Sequence, residues 1–99
     1  MAPLPETILV QNDQLIVGSV DEKTVMLSIS AGMYFTLDRV GTDIWNMLSQ
    51  PRSLQQIVDS LVPLYTVDRA IISRDVDSFL QSLIDYRLVR IVRPLAMPV

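Results

Sequence analysis

The chain has 99 residues, 49% of them hydrophobic and 19% charged, with neither cysteine nor histidine and a net charge of −3. A chain this short supports one domain and one core, so any binding site must lie on its surface. The missing residue types exclude a disulfide framework, a thiolate nucleophile, a cysteine-type zinc site and the usual near-neutral acid/base, and the acidic balance disfavours a phosphate backbone as ligand.

The opening residues, Met1 to Glu6, lack the basic leader and apolar core of a secretory signal. No apolar run approaches the roughly 20 residues needed to span a bilayer. A cytoplasmic location is the expectation. Residues 1–13, with Pro3, Pro5 and the patch Ile8-Leu9-Val10, read as an arm leading into the fold. From Leu15 three β-rich runs follow, Leu15–Val17, Thr24–Ile29 and Met33–Leu37, broken at Asp21-Glu22-Lys23 and at Ala31-Gly32. That pattern predicts an antiparallel meander. In the third run Met33, Phe35 and Leu37 share one face, expected to meet the core, and Tyr34 and Thr36 share the other.

After Leu37 the period lengthens to about 3.6 residues, the mark of helices. Asp38 is positioned to cap a first helix whose apolar stripe is Val40, Ile44, Trp45 and Leu48 and which stops at Gln50-Pro51. Trp45 on that stripe reads as a core anchor. Ser53 and Gln56 have capping-box spacing at the start of a second helix, with Leu54, Ile57, Val58 and Leu61 on its stripe and Pro63 at its end. Beyond the connection Tyr65-Thr66-Val67-Asp68, the third and longest helix carries Ile72, Val76, Phe79, Leu80 and Leu83 on one side. Asp75, Ser78, Gln81, Ser82 and Asp85 lie on the other. Leu88 to Val92 resumes a strand-like composition, and Pro94 and Pro98 close an apolar tail. The order predicts an α+β domain over residues 14–93, with residues 94–99 as a tail. It would be a winged helix-turn-helix in which a three-stranded antiparallel N-terminal sheet precedes three helices and a short C-terminal strand.

No catalytic constellation emerges. Gly18, Gly32 and Gly41 are isolated and form no phosphate loop. Asp75 and Asp77, two apart on a helix, point in different directions, while Asp21 and Glu22 sit in a turn. The serines have no histidine to activate them. The expectation is a protein that is not an enzyme and needs no metal or cofactor. The helix-turn-helix order raises DNA binding, but Arg74, Arg87, Arg90 and Arg93 share their region with Asp75, Asp77 and Asp85. Neither a nucleic-acid nor a membrane partner is expected. What remains is the free edge of the meander. If the third run is that edge and the third helix lies alongside, the two form a groove with a backbone floor and a side-chain wall, suited to an extended peptide. Tyr34 is open to two roles there, a packed amphipathic side chain or part of the contact surface.

The stretch Gly32-Met33-Tyr34-Phe35-Thr36-Leu37-Asp38, followed by Gly41 and Ile44-Trp45, resembles the signature of PqqD-like proteins. The likeness continues through Ser53–Leu61, Tyr65-Thr66-Val67-Asp68, Val76, Phe79, Leu80, Leu83 and Leu88-Val89. It implies a recognition element for ribosomally made, post-translationally modified peptides (RiPPs). Such a peptide chaperone binds the leader segment of a precursor as an added strand beside the third helix. Its contacts would come from Met33, Tyr34, Phe35, Thr36, Leu37 and Asp38 on the strand, and from Asp75, Ser78, Phe79, Ser82, Leu83 and Tyr86 on the helix. An apolar pocket between them would take a tyrosine and a proline of a lasso-type leader, and the acidic wall at Asp75 and Asp85 would favour a lysine or arginine. The chain is most similar to the stand-alone proteins of lasso-peptide biosynthesis, which implies a precursor leader, a leader peptidase and a macrolactam-forming cyclase as partners. A chaperone serving a radical-SAM enzyme, as in pyrroloquinoline quinone synthesis, is the alternative, and a winged-helix DNA-binding regulator is another. Two residues depart from the family pattern: Asp38 stands where asparagine is frequent, and Arg87 where glycine often precedes the terminal strand.

Overall fold

A computed structural model describes residues 7–92. The strands are β1 (Ile8–Gln11), β2 (Leu15–Val20), β3 (Lys23–Ser28), β4 (Met33–Leu37), β5 (Arg52–Ser53) and β6 (Val89–Val92). The helices are α1 (Arg39–Met47), α2 (Leu54–Leu61) and α3 (Arg69–Asp85), with a 3-10 turn at Val62–Leu64. The architecture is α+β, with the expected three-stranded antiparallel meander, three helices and C-terminal strand. Expectations for Arg93, Pro94, Pro98 and the rest of the tail fall outside the described residues, as do those for residues 1–6. No helix among the described residues is long and apolar enough to cross a membrane.

The meander runs in the order β2-β3-β4. Its first hairpin pairs Val20 with Lys23, which leaves a two-residue loop of Asp21 and Glu22 at φ 52° and 67°. Positive φ at both positions is the signature of a type I′ turn, whose twist matches that of the strands. The second loop closes through Gly32 at φ 64°, and the Ser28 hydroxyl accepts from the Ala31 amide at 3.3 Å. One face of the sheet buries Thr24, Met26 and Leu37 against the helices and half-buries Phe35. Met33, expected on that core face, is 43% exposed, because it is the first residue of β4 and lies beside the loop. Ile29, expected to end the second strand, is an exposed loop residue.

The expected arm over residues 1–13 is revised by the structure. Residues 8–11 form the central strand of a second sheet, β5-β1-β6. Ile8, Leu9, Val10 and Gln11 pair with Val92, Ile91, Arg90 and Val89, and Leu9 is completely buried. A three-residue apolar patch has too little alternation to announce a strand, and its β6 partners lie at the far end of the chain. Gln11 also satisfies the end of α1: its amide donates to the Leu48 carbonyl at 2.8 Å and its Nε2 to the Trp45 carbonyl at 2.7 Å. Both carbonyls belong to the last turn and cap of α1, where helical partners run out; the Trp45 carbonyl also accepts from the Leu48 amide at 3.0 Å.

The helix caps are local chemistry. Asp38 Oδ1 accepts from the Gly41 amide at 2.8 Å. Ser53 and Gln56 form a full capping box, with Gln56 N to Ser53 Oγ at 3.2 Å and Ser53 N to Gln56 Oε1 at 2.9 Å. Helix α3 buries Ile72, Val76, Leu80 and Leu83. It ends in a Schellman motif, in which the Leu88 amide donates to the Leu83 carbonyl and the Arg87 amide to the Ile84 carbonyl, with Arg87 at φ 60°. Glycine suits that left-handed position best.

Candidate functional site

Strand β4 is an edge: it pairs with β3 on one side and with no described strand on the other. Its unpaired amides and carbonyls are a template for another chain. Asp38 turns the backbone directly from β4 into α1, and α3 passes alongside. Between them lies a cleft of about 400 Å³. Thr36, Leu37 and Asp38 form its β4 side, Val40, Gly41 and Ile44 come from α1, and Ile72, Asp75, Val76 and Phe79 come from α3. Leu61, Tyr65 and Val67 complete the wall.

The cleft owes its shape to two close contacts. A Cβ on Gly41 would lie 3.2 Å from Cζ of Phe79, so the absence of a side chain lets the Phe79 ring sit against α1. Further along, the Phe35 and Tyr86 rings pack with centroids 5.0 Å apart and planes tilted by 56°, a favourable aromatic arrangement that ties β4 to the end of α3. Phe35 meets Tyr86 while Thr36 to Asp38 line the cleft with Ile72 to Phe79. Helix α3 therefore passes β4 in the opposite sense.

The charged groups lining the cleft are Asp38 and Asp75. Behind Tyr65, Asp43 Oδ2 accepts the phenol hydrogen at 3.2 Å. The Tyr65 phenol is held above its ordinary pKa, first by desolvation, then by this hydrogen bond and the Asp43 charge; Asp38 adds to the effect and Arg39 opposes it. Among the described residues the only salt bridge joins Arg69 to Asp59, so Asp75 has no ionic partner there. No described group of three or more acidic side chains is placed to hold a metal ion.

The structure brings together Thr36, Leu37, Asp38, Asp75 and Phe79 of the expected contact set in the cleft, and Phe35 with Tyr86 beside it. Tyr34, 74% exposed, stands on the outer face of β4, and Met33 lies at the strand's far end. Ser78 and Ser82 are exposed on α3, with the Ser82 hydroxyl donating to the Ser78 carbonyl at 3.3 Å. Leu83 must be corrected. It belongs to the buried core stripe of α3 and is not among the residues that line the cleft. Asp85 does not share a wall with Asp75 either. It accepts from Gln81 Nε2 at 2.7 Å and lies with Tyr86 and Arg87 at a separate, more polar depression near Asn12 and Ser30.

Sequence reasoning assigned Val40, Ile44, Ile72 and Val76 wholly to the core and left Tyr65 and Val67 in a connection. All six line the cleft. Periodicity alone does not separate such positions from core ones: Val40 continues the apolar stripe of α1, yet is 41% exposed.

No curated protein matches the chain. The solved structure "TbiB1 in Complex with the TbiA(beta) Leader Peptide" is 32% identical, covers 86% of this chain and 99% of its own, and superposes with a TM-score of 0.76. "Lasso peptide synthetase B1 complexed with the leader peptide" is 22% identical, covers 83% of this chain and 96% of its own, and shares the fold at a TM-score of 0.73. Residues 23–89 match the family described as Coenzyme PQQ synthesis protein D (PqqD). That match runs from the first residue of β3 to the first residue of β6, well over half the chain, and the protein belongs to the PqqD family.

Proposed function

We propose that the protein binds the leader segment of a ribosomally synthesised precursor peptide as a strand added to β4, and presents the precursor to separate modifying enzymes of a lasso-peptide pathway. One observation carries this: the free β4 edge runs beside an apolar cleft, in a chain similar over nearly the full length of TbiB1, a protein solved with a leader peptide. Ladder hydrogen bonds to β4 supply affinity without regard to sequence, and the cleft supplies selectivity through an apolar anchor. Such an adaptor needs no acid, base or nucleophile, in keeping with a chain that has neither histidine nor cysteine. Its enzymes would be a leader peptidase and a macrolactam-forming cyclase. The succession α1, β5, α2, α3, β6 supports treating the helical half as a winged helix-turn-helix unit adapted to peptide binding. Along the peptide, Met33 to Asp38 would form the ladder. Phe79, Val40 and Val67 would surround the anchor, Asp75 would stand beside it, and Ser78, Ser82 and Tyr86 would line its continuation.

The test is fluorescence anisotropy with the labelled leader of a precursor encoded beside the gene, joined to amide hydrogen exchange. Binding should slow exchange along β4, the signature of strand addition. Val67 is 46% exposed, so Val67→Asp should leave the fold intact while weakening leader binding about ten-fold or more by charging the apolar cleft. Val20→Asp, on β2 at the opposite edge of the meander, should bind like the wild type. Leader binding without protection of β4 would overturn strand addition, and salt-sensitive binding to duplex DNA without leader binding would overturn the function. Stimulation of a lasso-type leader peptidase on the same precursor, rather than of a radical-SAM enzyme, would confirm the pathway.

A further inference from the structure

The polar groups around the cleft are unusually one-sided. Asp38 uses Oδ1 to cap α1, and its second oxygen has no hydrogen-bond partner among the described residues. Asp75 has neither a hydrogen bond nor an ion pair there. Asp43 stands behind Tyr65, and the fourth charge within reach, Arg39, does not line the cleft. Arg74 adjoins Asp75 in sequence, but consecutive residues on a helix point about 100° apart, and no contact joins the two. Both charged side chains that line the apolar cleft are therefore acidic.

The spacing converts this into a rule for the ligand. Side chains two apart on a strand share a face and lie about 7 Å apart. Asp75 and Phe79, four apart on α3, share a helix face about 6 Å apart. A peptide strand beside β4 that places an apolar side chain against Phe79 thus sets its second neighbour level with Asp75. We infer that the peptide taken by this groove carries a lysine or arginine two positions from its apolar anchor, and that Asp75, with Asp38, selects it. The long stem of either residue can lie along Ile72 while its head reaches the carboxylates. This rests on the strand-addition reading of β4 and adds the chemical class of the ligand to it.

A displayed library of short random peptides, selected on the wild-type protein and on Asp75→Lys, tests the inference. Asp75 is exposed, so the variant should melt like the wild type. Wild-type selection should enrich an apolar residue with Lys or Arg two positions away, and Asp75→Lys should replace the basic residue with Asp or Glu. For a selected peptide made synthetically, Lys→Ala should weaken binding about five-fold to wild type and much less to Asp75→Asn. Peptides that protect β4 from exchange and share an apolar anchor, but show the same charge pattern on both proteins, would overturn this inference and leave strand addition standing. Recovery of no β4-protecting peptide would overturn both.

Discussion

Arg87 holds a left-handed backbone at φ 60° so that the chain can leave α3 and enter β6. A side chain there costs about 1 kcal/mol that glycine avoids. Arg87→Gly should therefore raise stability by about 1 kcal/mol, seen as a higher urea midpoint at unchanged slope. Gly41 behaves in the opposite way. Alanine gains about 1 kcal/mol of helix propensity, but its Cβ would press on Phe79 at 3.2 Å. It would also crowd the capping Asp38 Oδ1 at 3.2 Å, and Phe79 and Asp38 both line the cleft, so Gly41→Ala should change stability little while reducing leader affinity several-fold. Tyr65 supplies a pH effect. Its pKa is raised in the folded state above the ordinary value of 10.0. Its contribution is therefore complete below the unfolded value and is lost as pH rises above about 10 toward the folded one. Tyr65→Phe should flatten the alkaline limb of the stability profile. None of these three roles shows in composition or periodicity, because each depends on a neighbour distant in sequence or on one dihedral angle.

At the scale of elements, the sequence speaks where the chemistry is local. Ser53 and Gln56 announce the start of α2 three residues apart, and the capping box forms as their spacing predicts. Asp38 likewise caps α1. The β2–β3 hairpin is legible in outline but built on an unfavourable pair. Asp21 and Glu22 occupy a type I′ turn whose preferred residues are Asn-Gly, so its left-handed residues are strained. Replacing both by Asn-Gly should stabilise the domain by about 1 kcal/mol by thermal unfolding and leave leader binding unchanged, since β4 lies across the sheet. The cleft was only half legible for a different reason. Helical periodicity separates buried from exposed positions, but Ile72 and Val76 belong to the core and also line the cleft, while Val40 continues the apolar stripe of α1 and is exposed on the cleft. Leu83 shows the converse. The family resemblance implied a groove contact for it, whereas the spacing Ile72, Val76, Leu80, Leu83 marks a core stripe.

At the scale of the whole molecule, the helical half is held closed by the strand that the sequence reads as an arm. β1 joins β5 to β6, Gln11 ties to the end of α1, and Asn12 Nδ2 donates to the Arg87 carbonyl just beyond α3 at 2.8 Å. Helices α1 and α3 wall the cleft, and residues 11 and 12 tie their C-terminal ends to β1. Leu9 is the test of that role, being completely buried among the core side chains. A surface arm would tolerate Leu9→Ala with a change of a few tenths of a kcal/mol. A core strand should lose about 3 kcal/mol, transfer and cavity terms together. Domains of this size have only about 5–15 kcal/mol of stability, so the variant should unfold at a clearly lower urea midpoint. At low temperature, where it stays folded, its leader binding should fall far less than that of Val67→Asp. A loss below about 1 kcal/mol would return residues 8–11 to the status of an arm, and a complete loss of binding in a folded variant would mean that β1 shapes the groove directly rather than through the packing of α1 and α3.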